Sequence, residues 1–470
     1  MSLRGDARLV PLAAALGLFA ALGGALTAAL AYATSPGIPL AVVGGAALAA
    51  LAMAMPLRLV YVAILLIPFK LYTIKLGAAD LTLPEGIFVL SGAAWAARRV
   101  AIGSWPFAPS PLGKPYALLL VAIVPGLIVA LHPFPVLKML VMWTAFVLVY
   151  QMVVADGRPE TVRSILLALA VSAAVVGLKA ALAPGAEQPQ RLLGVGEVAE
   201  GRPGGSFQDP NILATFEALG LPAAVVLALG RNLALRALGG AAFALIVAGL
   251  ALSLSRGGFL AAAGALAVML AWRPFRYAGI AALVLVVSLQ AASGSLFGEV
   301  QQTGVVAGRL QSVSYAAAGG DPRFAIWRTT PEIIAAHPFF GVGANQYPEA
   351  SLRYGLFAED LGGSYQHAHN IPLTVGAELG LLGLAALVWG TVALLRVLLG
   401  AIRRSRGPDR GLALAVAAAF TGLGLQGMVD YTLSSNTVAA VMFVLAGCAV
   451  VLWRSAPADG PPPDAMASTV

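Results

Sequence analysis

Residues 436–454 read NTVAAVMFVLAGCAVVLWR, an apolar run that contains no charged residue before Arg454. A helix needs about 20 mainly apolar residues to cross a bilayer, where every backbone polar group must find its hydrogen-bond partner within the protein. The run therefore predicts a transmembrane helix. It also holds Cys448, the one cysteine of the chain, which argues against a disulfide framework and against a thiolate metal cluster.

Similar runs occupy most of the 470 residues, of which 59% are hydrophobic and 11% are charged. The mean hydropathy of +0.87 excludes an ordinary soluble domain. Strand-like alternation extends over no long stretch, so the pattern indicates an all-α polytopic membrane protein rather than a barrel. Candidate spans lie near residues 9–31, 38–54, 57–71, 85–98, 115–131, 136–155, 161–183, 211–229, 233–253, 257–271, 275–292, 371–397, 411–430 and 436–454.

The basic residues predict the orientation of these spans. The net charge is +8, but the basic residues occur in short clusters between apolar runs and not as the basic face of a nucleic-acid-binding protein. Most of the 29 basic residues fall on one side if both termini are cytoplasmic, as the positive-inside rule requires. Some runs are short enough to be tilted or re-entrant, so we expect an even number of about 12 to 14 spans.

The N-terminal segment resembles a secretory signal, because Arg4 and Arg8 precede an apolar run and Ala31-Tyr32-Ala33 follows it. The run over residues 9–31 is longer than the roughly 7–15 apolar residues of a signal peptide. We expect it to be retained as the first span.

Two outward segments are longer than connectors. Residues 184–210 form a medium periplasmic loop and residues 293–370 a long one, and loops above about 15 residues are uncommon unless functional or disordered. The chain is thus divided into N-terminal transmembrane helices (1–292), the long periplasmic loop (293–370), C-terminal transmembrane helices (371–454) and a disordered cytoplasmic tail (455–470).

The long loop is predicted to be partly helical. Asp321 followed by Pro322 is typical of a helix start, and Pro338 disfavours helix at the residue before it. His337 is therefore placed at the end of a helix. We expect the apolar face of this helix to comprise Phe324, Ile326, Trp327, Ile333 and Ile334. We expect its solvent-facing side to comprise Arg323, Arg328 and Glu332.

Four histidines offer acid–base or ligand chemistry. His132 lies in a short turn, for which a structural role is the simpler interpretation. His367 and His369 form an H-x-H pair, but no third metal ligand has a telling spacing, so a structural or interfacial role is favoured. His337 is the strongest candidate for a general base, since a histidine can accept a hydroxyl proton near neutral pH. A capping or turn role is its alternative.

Arginines near the outer face suggest an anionic ligand. Arg256, within residues 253–258 (SLSRGG), interrupts an apolar region, where a charge costs at least about 2.5–3.5 kcal/mol unless it snorkels or is paired. Its glycines permit close approach of backbone amides to an anion. Arg191 and Arg202 lie in the medium loop, although Asp209 as a helix cap explains part of that polar cluster. Arginines beside one histidine would suit a diphosphate and a hydroxyl.

These residues form a recognisable series. Residues 253–258 (SLSRGG), 337–343 (HPFFGVG), His369-Asn370 and 378–383 (ELGLLG) resemble, in order and spacing, the O-antigen ligase and polymerase superfamily. The resemblance covers about residues 200–435. It implies a GT-C-like fold and an inverting, metal-independent glycosyltransferase without a cofactor, acting at the periplasmic face of the bacterial inner membrane.

The resemblance also implies partners and residue roles. The donor would be a glycan on undecaprenyl diphosphate and the ligase acceptor lipid A–core oligosaccharide. His337 would be the general base, and Arg191 and Arg256 would bind the diphosphate, with Arg328, Tyr365 and His369 as secondary candidates.

Alternatives remain within and outside the family. Ligase is favoured over a protein-modifying enzyme, which is expected to carry a longer outer domain after Arg454, and polymerase remains the alternative. A transporter is the alternative from another class, because Arg256, Glu217, Glu378 and Asp430 could line a path. No internal repeat supports it.

Overall fold

A computed structural model describes residues 47–69, 73–76, 79–105, 107–182, 205–207, 209–277, 279–280, 284, 322–358 and 363–456. The predictions made for residues 9–31, for Arg191 and Arg202, for most of 275–292, for the first part of the long loop and for the tail beyond residue 456 lie outside these residues.

The described chain is mainly helical, as predicted. The helices are α1 (Pro56–Leu66), α2 (Leu83–Ala101), α3 (Gly113–Ile123), α4 (Gly126–Val129), α5 (Pro133–Asp156), α6 (Pro159–Leu182), α7 (Pro210–Ala228), α8 (Leu233–Ser253), α9 (Arg256–Met269), α10 (Pro322–Ala336), α11 (Tyr347–Arg353), α12 (Ile371–Arg404), α13 (Gly407–Gly427) and α14 (Asn436–Ser455). Among the described residues, six of these are long and apolar enough to cross a membrane, namely α5, α6, α7, α8, α12 and α14. An all-α membrane protein is therefore confirmed, whereas 12 to 14 crossings, the orientation and the GT-C-like fold remain predictions.

Two short antiparallel hairpins interrupt the helices. The first pairs β1 (Thr73–Leu76) with β2 (Ala79–Thr82), and the second pairs β3 (Phe357–Ala358) with β4 (Gly363–Ser364). Neither was predicted, because strands of two to four residues are too short to show an alternating pattern.

Local sequence explains where many helices begin. Helices α1, α5, α6, α7 and α10 each start at a proline, whose fixed φ suits the first helical position and whose missing N–H costs nothing there. Side chains of Asp209, Asn232 and Asn370 accept hydrogen bonds from backbone N–H groups at the starts of α7, α8 and α12. Asp209 therefore caps α7, as the sequence indicated.

Helix α7 lies at the centre of one half of the bundle, where it packs against α6, α8, α9 and α13. Small residues bring these helices close. A Cβ on Gly249 of α8 would lie 2.7 Å from Oε1 of Glu217 on α7. Glu217 is fully buried, and neither carboxyl oxygen has a hydrogen-bond partner among the described residues.

Helix α12 is broken near its first third, at Gly380, where φ is +62° and ψ is −159°. Residues 337–343, the motif identified in the sequence, form hydrogen bonds with the helix at this break. Val342 N donates to Ala377 O at 2.9 Å, Gly343 N donates to Glu378 O at 3.0 Å, and Leu381 N donates to Pro338 O at 2.7 Å. The loop and the membrane helix thus share backbone hydrogen bonds.

Glycines make this crossing possible. A Cβ on Gly341 would lie 2.3 Å from the backbone of Glu378, and one on Gly380 would lie 2.5 Å from the backbone of Phe339. Both glycines have positive φ, which other residues rarely adopt. The motifs at 337–343 and 378–383 are therefore two halves of one structural joint.

Helices α10 and α11 carry a small core of their own. Ile326, Ile333, Tyr347 and Tyr365 are buried there together with Ala377 of α12. Because α12 completes this core, the described part of the loop packs on the bundle.

Candidate active site

Four chain segments meet at the end of the bundle nearest the long loop. They are the starts of α7, α9 and α12 and the segment that follows α13. Ser255 Oγ donates to Asn211 Oδ1 at 2.9 Å, and Asn370 Nδ2 donates to Met428 O at 2.8 Å. A Cβ on Gly257 would lie 2.5 Å from Gln426 Oε1, so the start of α9 abuts the end of α13. These contacts bring together residues that are far apart in the sequence.

Arg256 is the first residue of α9. Leu254 in the left-handed conformation (φ +50°) ends α8, and Ser255 caps α9 by accepting a hydrogen bond from Gly258 N at 3.2 Å. Arg256 therefore lies at the start of a helix, where it is only partly buried. Gly257 and Gly258 are packed against Gln426 and Ala214, so close helix packing accounts for both glycines.

The centre of the cluster is a histidine–carboxylate pair. Nδ1 of His369 lies 3.0 Å from Oδ1 of Asp430, and the Asp430 side chain is only 7% exposed. An ionised carboxylate only accepts hydrogen bonds, so Nδ1 must carry the hydrogen and Nε2 keeps its lone pair. A base oriented by a carboxylate is the arrangement that hydroxyl-activating sites use.

The charge of Asp430 is maintained by its neighbours. Oδ2 of Asp430 lies 3.9 Å from Arg323 of α10, and Tyr431 N donates to Oδ1 at 2.8 Å. Burial alone would raise the pKa of Asp430, but the hydrogen bond from His369 and the positive charge of Arg323 hold that pKa below its ordinary value. The carboxylate is therefore ionised at physiological pH.

The backbone of His369 is itself held in an uncommon conformation. Its φ is +48°, a region that costs a non-glycine residue about 1–2 kcal/mol. Two contacts hold this conformation. One is the contact of His369 with Asp430, and the other is made by the next residue, Asn370, whose side chain accepts from Leu373 N at 2.9 Å. The imidazole is thus positioned by both its side chain and its backbone.

His367 completes the cluster. Its ring lies 4.3 Å from that of His369 and 5.4 Å from that of Tyr431, measured between centroids. Burial and the neighbouring His369 lower the pKa of His367 to about 3, so this imidazole is neutral. His369 N donates to His367 Nδ1 at 3.3 Å, which makes His367 a support for the turn that carries His369.

Asp430 also supplies the third metal ligand that the sequence did not reveal. Possible ligand atoms of His367, His369 and Asp430 lie within 4.8 Å of one another. Two features oppose a cation there: Arg323 approaches the free oxygen of Asp430, and the backbone occupies Nδ1 of His367.

His337 has different surroundings. It follows the last residue of α10, as predicted, and its side chain is exposed. Its backbone takes part in the turn into the glycine motif, since Gly341 N donates to His337 O at 3.1 Å. Within the part of the chain that the structure describes, no carboxylate orients its ring.

The remaining candidates are placed as follows. Arg328 is exposed on α10, in agreement with the predicted solvent-facing side, whereas Phe324 is 39% exposed and not buried as predicted. Tyr365 is buried in the loop core. His132 has the expected turn role, because its backbone N–H and C=O both bond to the Gln346 side chain, at 2.9 and 3.1 Å.

A cavity of about 300 Å³ opens beside Tyr431. Polar and aromatic side chains line it, including Lys138, Trp143, Asn345, Ser434 and Asn436. Tyr431 follows Asp430 in the chain, but neither His369 nor Asp430 is among the residues that line this cavity. Such a lining suits the hydroxyl groups and apolar faces of sugar rings.

Comparison with known proteins supplies the family. Residues 241–388 match a family model described as O-antigen ligase. Those residues form an O-antigen ligase family domain. The resemblance found in the sequence is thereby confirmed. No curated protein matches the chain.

The matched segment contains most of the residues gathered at the site, but not Asp430. Arg256, Arg323, His337 and His369 lie inside the matched segment, and Asp430 lies beyond it. The sequence suggested Asp430 only as one of the residues that could line the path of a transporter. Its pairing with His369, 61 residues away, has no local sequence signal.

Proposed function

We propose that this protein is an inverting glycosyltransferase that moves O-antigen glycan from undecaprenyl diphosphate to lipid A–core oligosaccharide at the periplasmic face of the inner membrane. The O-antigen ligase domain at residues 241–388 supports the reaction class. The observation that carries the proposal is the contact of 3.0 Å between His369 and Asp430 at the end of the bundle.

In this mechanism His369 is the general base. Nε2 removes the proton from an acceptor hydroxyl as that oxygen bonds to the anomeric carbon of the donor sugar. The bond between that carbon and the diphosphate oxygen breaks, and the diphosphate leaves on the opposite face. Asp430 stabilises the imidazolium that forms, a role that keeps the developing positive charge paired.

Arginines would stabilise the leaving diphosphate without a metal ion. Arg256 stands at the start of α9, where its charge adds to the positive end of the helix dipole. Arg323 lies near the base through its contact with Asp430. The role of Arg191 remains a prediction from the family resemblance. Preorganised positive groups of this kind act strongly where water is excluded.

The choice of base differs from the first expectation. The sequence favoured His337, which remains a candidate, but the contacts favour His369. His369 has an ionised partner and a fixed ring, whereas His337 is exposed at a helix end. Orientation by a second group is what distinguishes a catalytic base from a turn residue.

Reconstitution of the purified protein in liposomes tests the proposed function. The liposomes contain glycan-bearing undecaprenyl diphosphate, with or without lipid A–core oligosaccharide. We expect glycosylated lipid A–core, formed equally well in the presence of a chelator. Lengthened lipid-linked glycans would indicate the polymerase alternative, and activity lost in chelator but restored by a divalent ion would indicate a metal at His367, His369 and Asp430.

A further inference from the structure

A cavity lies at the opposite end of the bundle from the candidate active site. It has a volume of about 1130 Å³ and is formed where the start of α6, the connection from α7 to α8, the segment after α9 and the start of α13 come together. These segments are the inward ends in the predicted topology.

Five arginines line this cavity: Arg163, Arg231, Arg273, Arg276 and Arg410. No acidic side chain is among the described residues of its lining. Arg163 is paired with Asp409 at 2.7 Å, while the other four make no ion pair with residues that the structure describes. The arginines are far apart in sequence, so folding creates a concentration of charge that the scattered clusters did not reveal.

The inner walls of the cavity are apolar. Leu166, Leu227, Leu412 and Trp272 contribute to them. A site with an apolar interior and a cationic rim is complementary to a molecule with a hydrocarbon part and an anionic head. Its volume slightly exceeds the roughly 300–1,000 Å³ of typical small-molecule pockets, so it is larger than a free phosphate needs.

We propose that this basic cavity binds an anionic phospholipid of the surrounding leaflet, with its phosphate among the arginines and an acyl chain against the apolar walls. Arginine suits this role because its planar donor fork pairs with phosphate oxygens. Basic pockets between transmembrane helices at a membrane surface bind anionic head groups in this way. The proposal does not depend on the transferase reaction.

Binding can be measured on the full-length protein in neutral detergent with added cardiolipin. The test variant carries Arg231→Gln, Arg273→Gln and Arg276→Gln. The control variant carries Arg396→Gln, Arg403→Gln and Arg406→Gln, three exposed arginines that remove the same charge outside the cavity lining. Native mass spectrometry counts retained lipid, and the thermal unfolding midpoint without lipid confirms that each variant is folded.

We expect cardiolipin to bind at least about tenfold more weakly to the test variant than to the wild type, because each basic residue near an anionic lipid surface strengthens binding about fivefold. The control variant should bind cardiolipin as tightly as the wild type does. Equal retention by both variants, or equal loss from both, contradicts the proposal. The proposal is also contradicted if phosphatidylcholine binds as well as cardiolipin. It is likewise contradicted if inorganic phosphate alone raises the thermal midpoint as much as cardiolipin does.

Discussion

Asp430 illustrates how one side chain can determine the chemistry of another. It accepts from Nδ1 of His369 and so leaves Nε2 as the reactive nitrogen. An asparagine at this position has nearly the same shape, but its amide can either donate or accept a hydrogen bond. It therefore no longer determines which nitrogen of His369 carries the hydrogen. The charge that stabilises the imidazolium would also be lost.

We therefore expect Asp430→Asn to lower the turnover number of glycan transfer by about 10²–10⁴-fold, with little change in membrane insertion. Asp409→Asn, which removes an exposed carboxylate at the other end of the bundle, is the matched control. Similar rates for the two variants would rule out the positioning role.

His367 predicts a pH dependence of stability. Its pKa is about 3 in the folded protein, against about 6.5 in an unfolded chain. Between these values the unfolded chain binds a proton that the folded protein does not. The free energy of unfolding should thus fall as pH decreases below about 6.5, by at most about 1.4 kcal/mol per pH unit.

Thermal unfolding of the detergent-solubilised protein between pH 7 and 4.5 checks this dependence. His367→Gln should flatten the slope, while His132→Gln, at an exposed turn, should leave it unchanged. The lowered pKa of Asp430 acts at lower pH, below about 4, and does not interfere. Identical slopes in wild type and His367→Gln would be evidence against a neutral His367 in the folded protein.

At the scale of elements, the joint between the long loop and α12 is the most constrained feature. Gly341 and Gly380 allow two backbones to cross, and the hydrogen bonds there tie α10 to the membrane helix. The loop contributes Arg323 to the active-site cluster through this attachment. Damage to the joint should consequently affect stability and activity together.

Gly380→Ala should lower the thermal midpoint and reduce transfer, because alanine meets both an unfavourable φ and a backbone 2.5 Å from its Cβ. A cost of roughly 1–3 kcal/mol or more is expected from such strain. Gly424→Ala in α13, where a Cβ meets nothing within 4 Å, is the control and should be tolerated. If Gly380→Ala behaves like Gly424→Ala, the joint is not essential.

The sequence predicted the elements well where the signal is local. The run at 436–454 corresponds to α14 at Asn436–Ser455, and the run at 161–183 corresponds to α6 at Pro159–Leu182. Hydropathy and proline positions suffice for such helices. The break at Gly380, the pair His369–Asp430 and the basic cavity depend on contacts between distant segments, which a single sequence does not encode in any local pattern.

At the scale of the whole molecule, the two ends of the bundle differ in chemistry. One end holds His369, Asp430 and Arg323, and the other holds the arginine-lined cavity. The positive-inside rule assigns the arginine-rich end to the cytoplasm. We therefore expect the candidate active-site cluster to face the periplasm, where a lipid-linked glycan would be used.

Cysteine labelling tests this orientation. Cys448 is fully buried, and Cys448→Ala provides a background without cysteine. Ala335→Cys, at an exposed position of α10, should react with a membrane-impermeant maleimide in intact spheroplasts. Arg403→Cys, exposed at the other end, should react only after permeabilisation. The reverse pattern would invert the topology.

We propose that His369, held by Asp430, is the base of a glycosyl transfer at this end of the bundle. The most direct measurement compares His369→Gln with His337→Gln in liposomes containing lipid-linked glycan and lipid A–core oligosaccharide. We predict that His369→Gln loses about 10²–10⁴-fold in transfer rate while His337→Gln stays within a few fold of wild type. Normal transfer by His369→Gln, with loss in His337→Gln, would contradict this account and return the role of base to His337.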